Sequence, residues 1–82
     1  HVGILFDPDD PDERRRADSL AAGVSRRAIR MGGTCTGEHG IGLHKLAAMT
    51  EEHGEAIALM RDIKRVLDPH GIMNPGKTIP AT

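Results

Sequence analysis

Gly32-Gly33-Thr34-Cys35-Thr36-Gly37-Glu38-His39-Gly40-Ile41-Gly42 (GGTCTGEHGIG, residues 32–42) is the stretch on which the reading of this chain turns. Its second half brings three glycines into six residues. Each costs about 0.5–1 kcal/mol against alanine in regular structure, so something there requires positive φ or close backbone approach. Between the glycines stand Glu38 and His39. In a sharp turn adjacent side chains need not diverge as they do along a strand, so both can face one pocket. A carboxylate there can ligate a divalent metal, and an imidazole titrating near neutrality can take a proton. Spacing alone leaves a second reading open, an ordinary glycine-rich loop with both side chains solvated.

Upstream, His1 to Phe6 (HVGILF) is a short apolar run ended by Asp7-Pro8-Asp9-Asp10, which predicts a strand followed by a turn. A helix is expected from Asp10 as N-cap, with Pro11 at its first position and Glu13 reaching back as a capping box. Ala17, Leu20, Ala21, Val24, Ala28 and Met31 define its buried face, and Gly32-Gly33 closes it. Downstream, Thr34 to Thr36 reads as extended and Leu43 to Met49 as about two helical turns. Thr50 stands where an N-cap is expected, with Glu51 and Glu52 in the first turn after it. Ala56, Leu59, Met60, Ile63, Val66 and Leu67 give that helix an apolar stripe, and Asp68-Pro69 ends it. An irregular tail runs from about residue 69. The predicted class is α+β, mainly helical with one or two short strands, and two strands make no stable sheet alone.

Length and composition narrow the possibilities. Eighty-two residues allow one domain at most, and Leu, Ile, Val and Phe together number 17, a thin core. The expectation is a piece that packs against something larger, or one that associates with itself. Net charge is −1, with acids intermixed among the arginines of residues 14–30, and Phe6 is the lone aromatic residue. That composition offers neither the field nor the stacking surface for nucleic acid. No apolar run approaches the roughly 20 residues that span a bilayer. The single cysteine, Cys35, excludes an intrachain disulfide framework, fits a reducing, cytoplasmic setting and reads as a packing residue. His44, His53 and His70 read as surface residues. The chain opens on His1 without Met, which suggests a cut fragment.

The run GGTCTGEHGIGLHK, an acid-capped helix, and then LMRDIKRVLDPHGIMNPGK resemble, in that order, the C-terminal end of the FAD-linked oxidase family. That family includes D-lactate dehydrogenases, D-2-hydroxyglutarate dehydrogenases and a glycolate oxidase component. The resemblance runs from His1 to about Pro80. His1 with VGILFDPDDPDE is similar to the last histidine of the family's HxGDGNxH motif and to the strand and Asp-Pro turn into which that motif leads; the seven preceding motif residues are absent. The resemblance implies a C-terminal part of the substrate (cap) domain of a flavoenzyme that oxidises a D-2-hydroxy acid to the 2-oxo acid. FAD would be held mainly by an N-terminal domain that is this chain's partner. The full-length enzyme would be cytoplasmic or peripheral at the inner membrane.

Residue by residue, the resemblance carries metal ligation onto His1 and Glu38, for a divalent ion such as zinc, and the role of base onto His39. Asn74, in the NPGK tail with Lys77, lies where the family's chain returns toward the flavin, so a cofactor contact and a packing role are both open. Gly3 stands where some relatives have a substrate-contacting Asn. Cys35-Thr36 replaces the more usual Ile-Ser pair, read as packing variation. The rival reading is a stand-alone metal-binding or interaction module without catalysis.

Overall fold

The computed structural model describes residues 2–81. Three helices succeed one another along the chain, α1 (Pro11–Arg30), α2 (Leu46–His53) and α3 (Ala56–Leu67), and the described residues contain no β-strand. α2 packs against both neighbours, whereas α1 and α3 do not pack on each other.

Local signals set the limits of α1. Asp10 is extended (φ −101°, ψ 105°), and its Oδ1 accepts the amides of Asp12 at 3.0 Å and Glu13 at 3.2 Å. Pro11 comes next at the first helical position, where its missing N–H would be unsatisfied anyway. The return arm of the expected capping box is replaced, because the Asp10 amide donates to the Asp7 carbonyl at 3.1 Å. Asp12 and Glu13 in the first turn, and Arg27 and Arg30 in the last, complement the helix dipole. At the other end Gly32 sits at φ +83° and donates to Ile29 O at 3.0 Å, while Gly33 donates to Ala28 O at 2.8 Å. This pair of bonds is a Schellman closure. A Cβ on Gly33 would stand 2.9 Å from Ala28 O, so both glycines are required for different reasons.

The second half departs from expectation. Thr50 does not start a helix; it lies inside α2, and its Oγ1 donates back to Leu46 O at 3.5 Å. The break between the two expected helices falls instead at Gly54 (φ 50°, ψ −119°), so α2 runs on to His53 and α3 begins at Ala56. Positive φ is open to glycine without steric cost, so the chain turns there rather than at Thr50. The strands also fail to form. A strand exists only through its partner, and Val2–Phe6 makes no main-chain ladder among the described residues. Over residues 34–36 the backbone donors go to side chains instead, Cys35 N–H to Glu52 and Thr36 N–H to Thr34 Oγ1. The described chain is therefore helical, not α+β.

The apolar stripe expected to bury α3 faces outward. Leu59, Ile63, Val66 and Leu67 are all exposed, and Ile57 is the buried residue of the helix. The side of α3 that carries Ile57, Arg61 and Lys64 is occupied by the C-terminal tail. Arg61 Nε donates to Pro80 O at 2.5 Å, and Lys64 Nζ donates to Asp68 and, at 2.6 Å, to Met73 O. The remaining buried apolar residues are Ala17, Cys35 and Met49, one from each of α1, the glycine-rich connection and α2.

Candidate functional site

The loop that carries Glu38 and His39 is built from its flanks inward. Thr36 Oγ1 accepts the amide of Gly40 at 2.9 Å and donates to Gly40 O at 3.2 Å. This two-bond clamp closes Gly37, Glu38 and His39 into one compact turn. Gly40 at φ +78° and Gly42 at φ +52° make the next reversals. The turn is secured a second time where Thr78 N–H donates to Gly42 O at 2.8 Å. Thr36, read from sequence as packing variation, is thus a polar staple of the loop.

Beneath the loop Glu52 fixes the segment that leads into it. Its carboxylate accepts Cys35 N–H at 2.6 Å and Thr34 Oγ1–H at 3.0 Å, and pairs with His53 at 2.8 Å. The Cys35 amide, then the Thr34 hydroxyl, hold the Glu52 carboxyl below the usual carboxylate range. Burial first, and Glu52 second, push the Cys35 thiol up. A buried, protonated thiol is a packing group rather than a nucleophile. Sequence reasoning missed Glu52 because its partners lie 17 and 18 residues upstream, and the residue fits equally well as a dipole-favoured surface acid.

Glu38 and His39 do come together. Their side chains approach to 3.6 Å (His39 Nε2 to Glu38 Oε1) and are 75 % and 66 % exposed. Both line one cleft of about 730 Å³, together with Val2, Ile4 and, from α1, Ala21 and Val24. Cys35 and Lys45 line it as well. The cleft thus offers a carboxylate, an imidazole and an ammonium beside apolar surface, which suits a small polar molecule with a short hydrocarbon part.

The other expected residues fall elsewhere. His1 lies outside the described residues. Asn74 is exposed in the tail at φ +47°, does not line the cleft, and accepts Lys77 N–H at 3.3 Å. His44 and His70 are exposed, and His53 is half-buried against Glu52. Among the described residues no three His, Cys, Asp or Glu side chains gather closely enough to hold a metal ion. Glu38 can serve as one oxygen donor, but residues 2–81 do not complete a ligand set. No helix of the described residues is long and apolar enough to cross a membrane.

Asp68 is the functional-looking side chain that sequence reasoning placed only as a helix terminator. It is 7 % exposed, and its carboxylate accepts the amides of Ile72 at 3.0 Å and Met73 at 2.9 Å as well as the Lys64 ammonium. Lys64 first, then the Met73 amide, hold its carboxyl below the ordinary range. All its partners are local, so it organises the tail and not the cleft.

Residues 1–78 match the family described as FAD linked oxidases, C-terminal domain. The chain is 51 % identical to a probable mitochondrial D-lactate dehydrogenase of Danio rerio, over 100 % of this chain and 17 % of that protein. It is 38 % identical to the glycolate oxidase subunit GlcD of Escherichia coli K12, over 98 % of this chain and 16 % of the relative. A D-2-hydroxyglutarate dehydrogenase of Xanthomonas citri pv. viticola is 40 % identical over 94 % of this chain and 17 % of its own length. The chain therefore spans about a sixth of the length of these relatives.

Proposed function

Because this chain belongs to the FAD-linked oxidases and corresponds to their C-terminal domain, we propose that it forms part of the substrate site of an enzyme that oxidises a D-2-hydroxy acid to the 2-oxo acid. The relatives bear the names of D-lactate and D-2-hydroxyglutarate dehydrogenases and of a glycolate oxidase subunit, and these names all refer to molecules of this class. The observation that carries the reading is the shared cleft of Glu38 and His39, held by the Thr36–Gly40 clamp.

Oxidation of a 2-hydroxy acid removes two electrons with one hydrogen from carbon and one proton from oxygen. His39 is the group in the cleft that can take the hydroxyl proton, and positioned proton transfer of this kind contributes about 10²–10⁴-fold to a rate. Glu38, 3.6 Å from His39 Nε2, would be the one oxygen donor this loop could offer if a divalent ion were bound there to polarise the hydroxyl. Val24 and Ala21 offer apolar surface in the same cleft for the hydrocarbon part of such a substrate. FAD, which an N-terminal domain of the longer protein would hold, would supply the hydride acceptor. In that longer protein Val2–Phe6 would have a strand partner available, and the family resemblance would bring the tail that carries Asn74 back toward the flavin domain.

The test uses the full-length enzyme. Anaerobic addition of D-lactate, glycolate or D-2-hydroxyglutarate should bleach the oxidised flavin spectrum for at least one of them. His39→Ala should lower that reduction rate by at least about 100-fold with flavin content unchanged. A rate within a few-fold of the parent would remove His39 from the mechanism.

A further inference from the structure

The cleft contains a charge that the proton-transfer reading leaves unused. Lys45 precedes α2, where its amide donates to Ile41 O at 3.3 Å and its carbonyl accepts Met49 N–H at 2.9 Å. Its backbone is therefore tied to the glycine-rich loop on one side and to α2 on the other. Its side chain is half-buried, lines the same cleft as Glu38 and His39, and forms no ion pair among the described residues. Its positive charge also reaches Cys35, where it opposes the upward push of burial on the thiol.

A 2-hydroxy acid enters as an anion. Glu38 alone would repel it, and the apolar wall of Val24 and Ala21 offers nothing to the carboxylate. Of the described residues lining the cleft, Lys45 is the one Lys or Arg. We propose that Lys45 anchors the substrate carboxylate, so that the hydroxyl-bearing carbon is directed toward His39. The assignment rests on the 2-hydroxy-acid reading above and names the group that would select anions over neutral alcohols at that site. An ammonium suits the task because it is a compact point charge on a flexible stem, able to reach substrates of different length.

The experiment compares the full-length holoenzyme with Lys45→Met, Lys45→Gln and Lys45→Arg. Two quantities are read: oxalate binding from its perturbation of the flavin spectrum, and kcat and KM for D-lactate, glycolate or D-2-hydroxyglutarate. Hydrogen bonds to charged groups contribute enough to make the expected loss about 10–100-fold. Lys45→Met and Lys45→Gln should weaken oxalate binding and raise KM by that factor, with kcat within about threefold of wild type. Lys45→Arg should recover most of the loss, and binding of neutral lactamide should not change. Oxalate binding within twofold of wild type in whichever neutral variant retains its flavin overturns the assignment, as does wild-type protein that binds no oxalate. Lys45-dependent oxalate binding in an enzyme that no 2-hydroxy acid reduces would uphold the anion anchor and sink the proposed substrate class.

Discussion

At Asp68 one carboxylate accepts two amides and an ammonium within five residues of its own position, and the tail from Pro69 to Met73 bends around it. Those bonds favour the ionised form, which is why its pKa is depressed. A carboxylate with a lowered folded-state pKa adds stability that is fully present above the unfolded value of about 3.9 and is lost as pH falls through the folded one. Asp68→Asn should therefore unfold at lower urea than wild type at pH 7. That gap should hold down to about pH 4 and close below it. A gap that persists undiminished at pH 2 would show that the charge is not what matters. The role was not legible in the sequence, where Asp-Pro reads simply as a helix stop. That His39 and Glu38 line one cleft was one of two readings their position among the glycines left open, the other being a solvated loop, and their roles came only from the family resemblance. Thr36 and Glu52 were not legible, since each acts through partners that only folding brings near.

Among the elements, α1 was readable at both ends because its determinants are local: the Asp10 side chain two and three residues from the amides it accepts, and the glycine pair immediately past Met31. The α2–α3 boundary was not. Thr50 has the chemistry of an N-cap, but its hydroxyl turns back to Leu46 and the chain breaks further on, at Gly54. The apolar stripe of α3 was legible from periodicity, but not what covers it. Its stripe of Leu59, Ile63, Val66 and Leu67 marks a helix that is buried somewhere, and within residues 2–81 the tail occupies another side. This yields a contrast that can be measured. Ile63→Asp in the isolated chain, compared at a concentration low enough to keep it monomeric, should change stability by no more than about 0.5 kcal/mol, as at other exposed sites. In the full-length protein, whose relatives are about six times as long, the same change should lower the yield of flavin-loaded enzyme several-fold. Equal effects in both settings would mean that the stripe stays in water.

On the scale of the whole molecule, the accessible surface is 6474 Å². A folded monomer of 8.8 kDa is expected to expose about 4,800 Å². The radius of gyration, 14.8 Å, likewise exceeds the roughly 12 Å of a compact domain this size. No large side chain is fully buried, and Leu5, Val66 and Ile72 are 98 %, 79 % and 79 % exposed. An excess of that kind, rich in apolar atoms, marks surface meant to be covered. The isolated 82-residue chain should therefore associate, with a midpoint of thermal unfolding that rises with concentration and a sedimentation coefficient above that of a monomer. A monodisperse monomer with concentration-independent unfolding would contradict this. The thin core was foreseeable from composition. So was the lack of strand pairing, because a strand is a property of a pair and one or two short strands make no stable sheet alone.

The bond from Thr78 to Gly42 joins the loop of Glu38 and His39 to the tail beyond α3. It imposes an order of events during synthesis. Helix α1, whose caps are local, can form as soon as it leaves the ribosome. The turn that presents Glu38 and His39 cannot acquire its second anchor until translation has passed residue 78. Until then Glu38 and His39 stand on a loop secured by the Thr36 clamp and by its ties to Lys45 and Glu52, so the loop takes its final form after both of the helices downstream of it have been made.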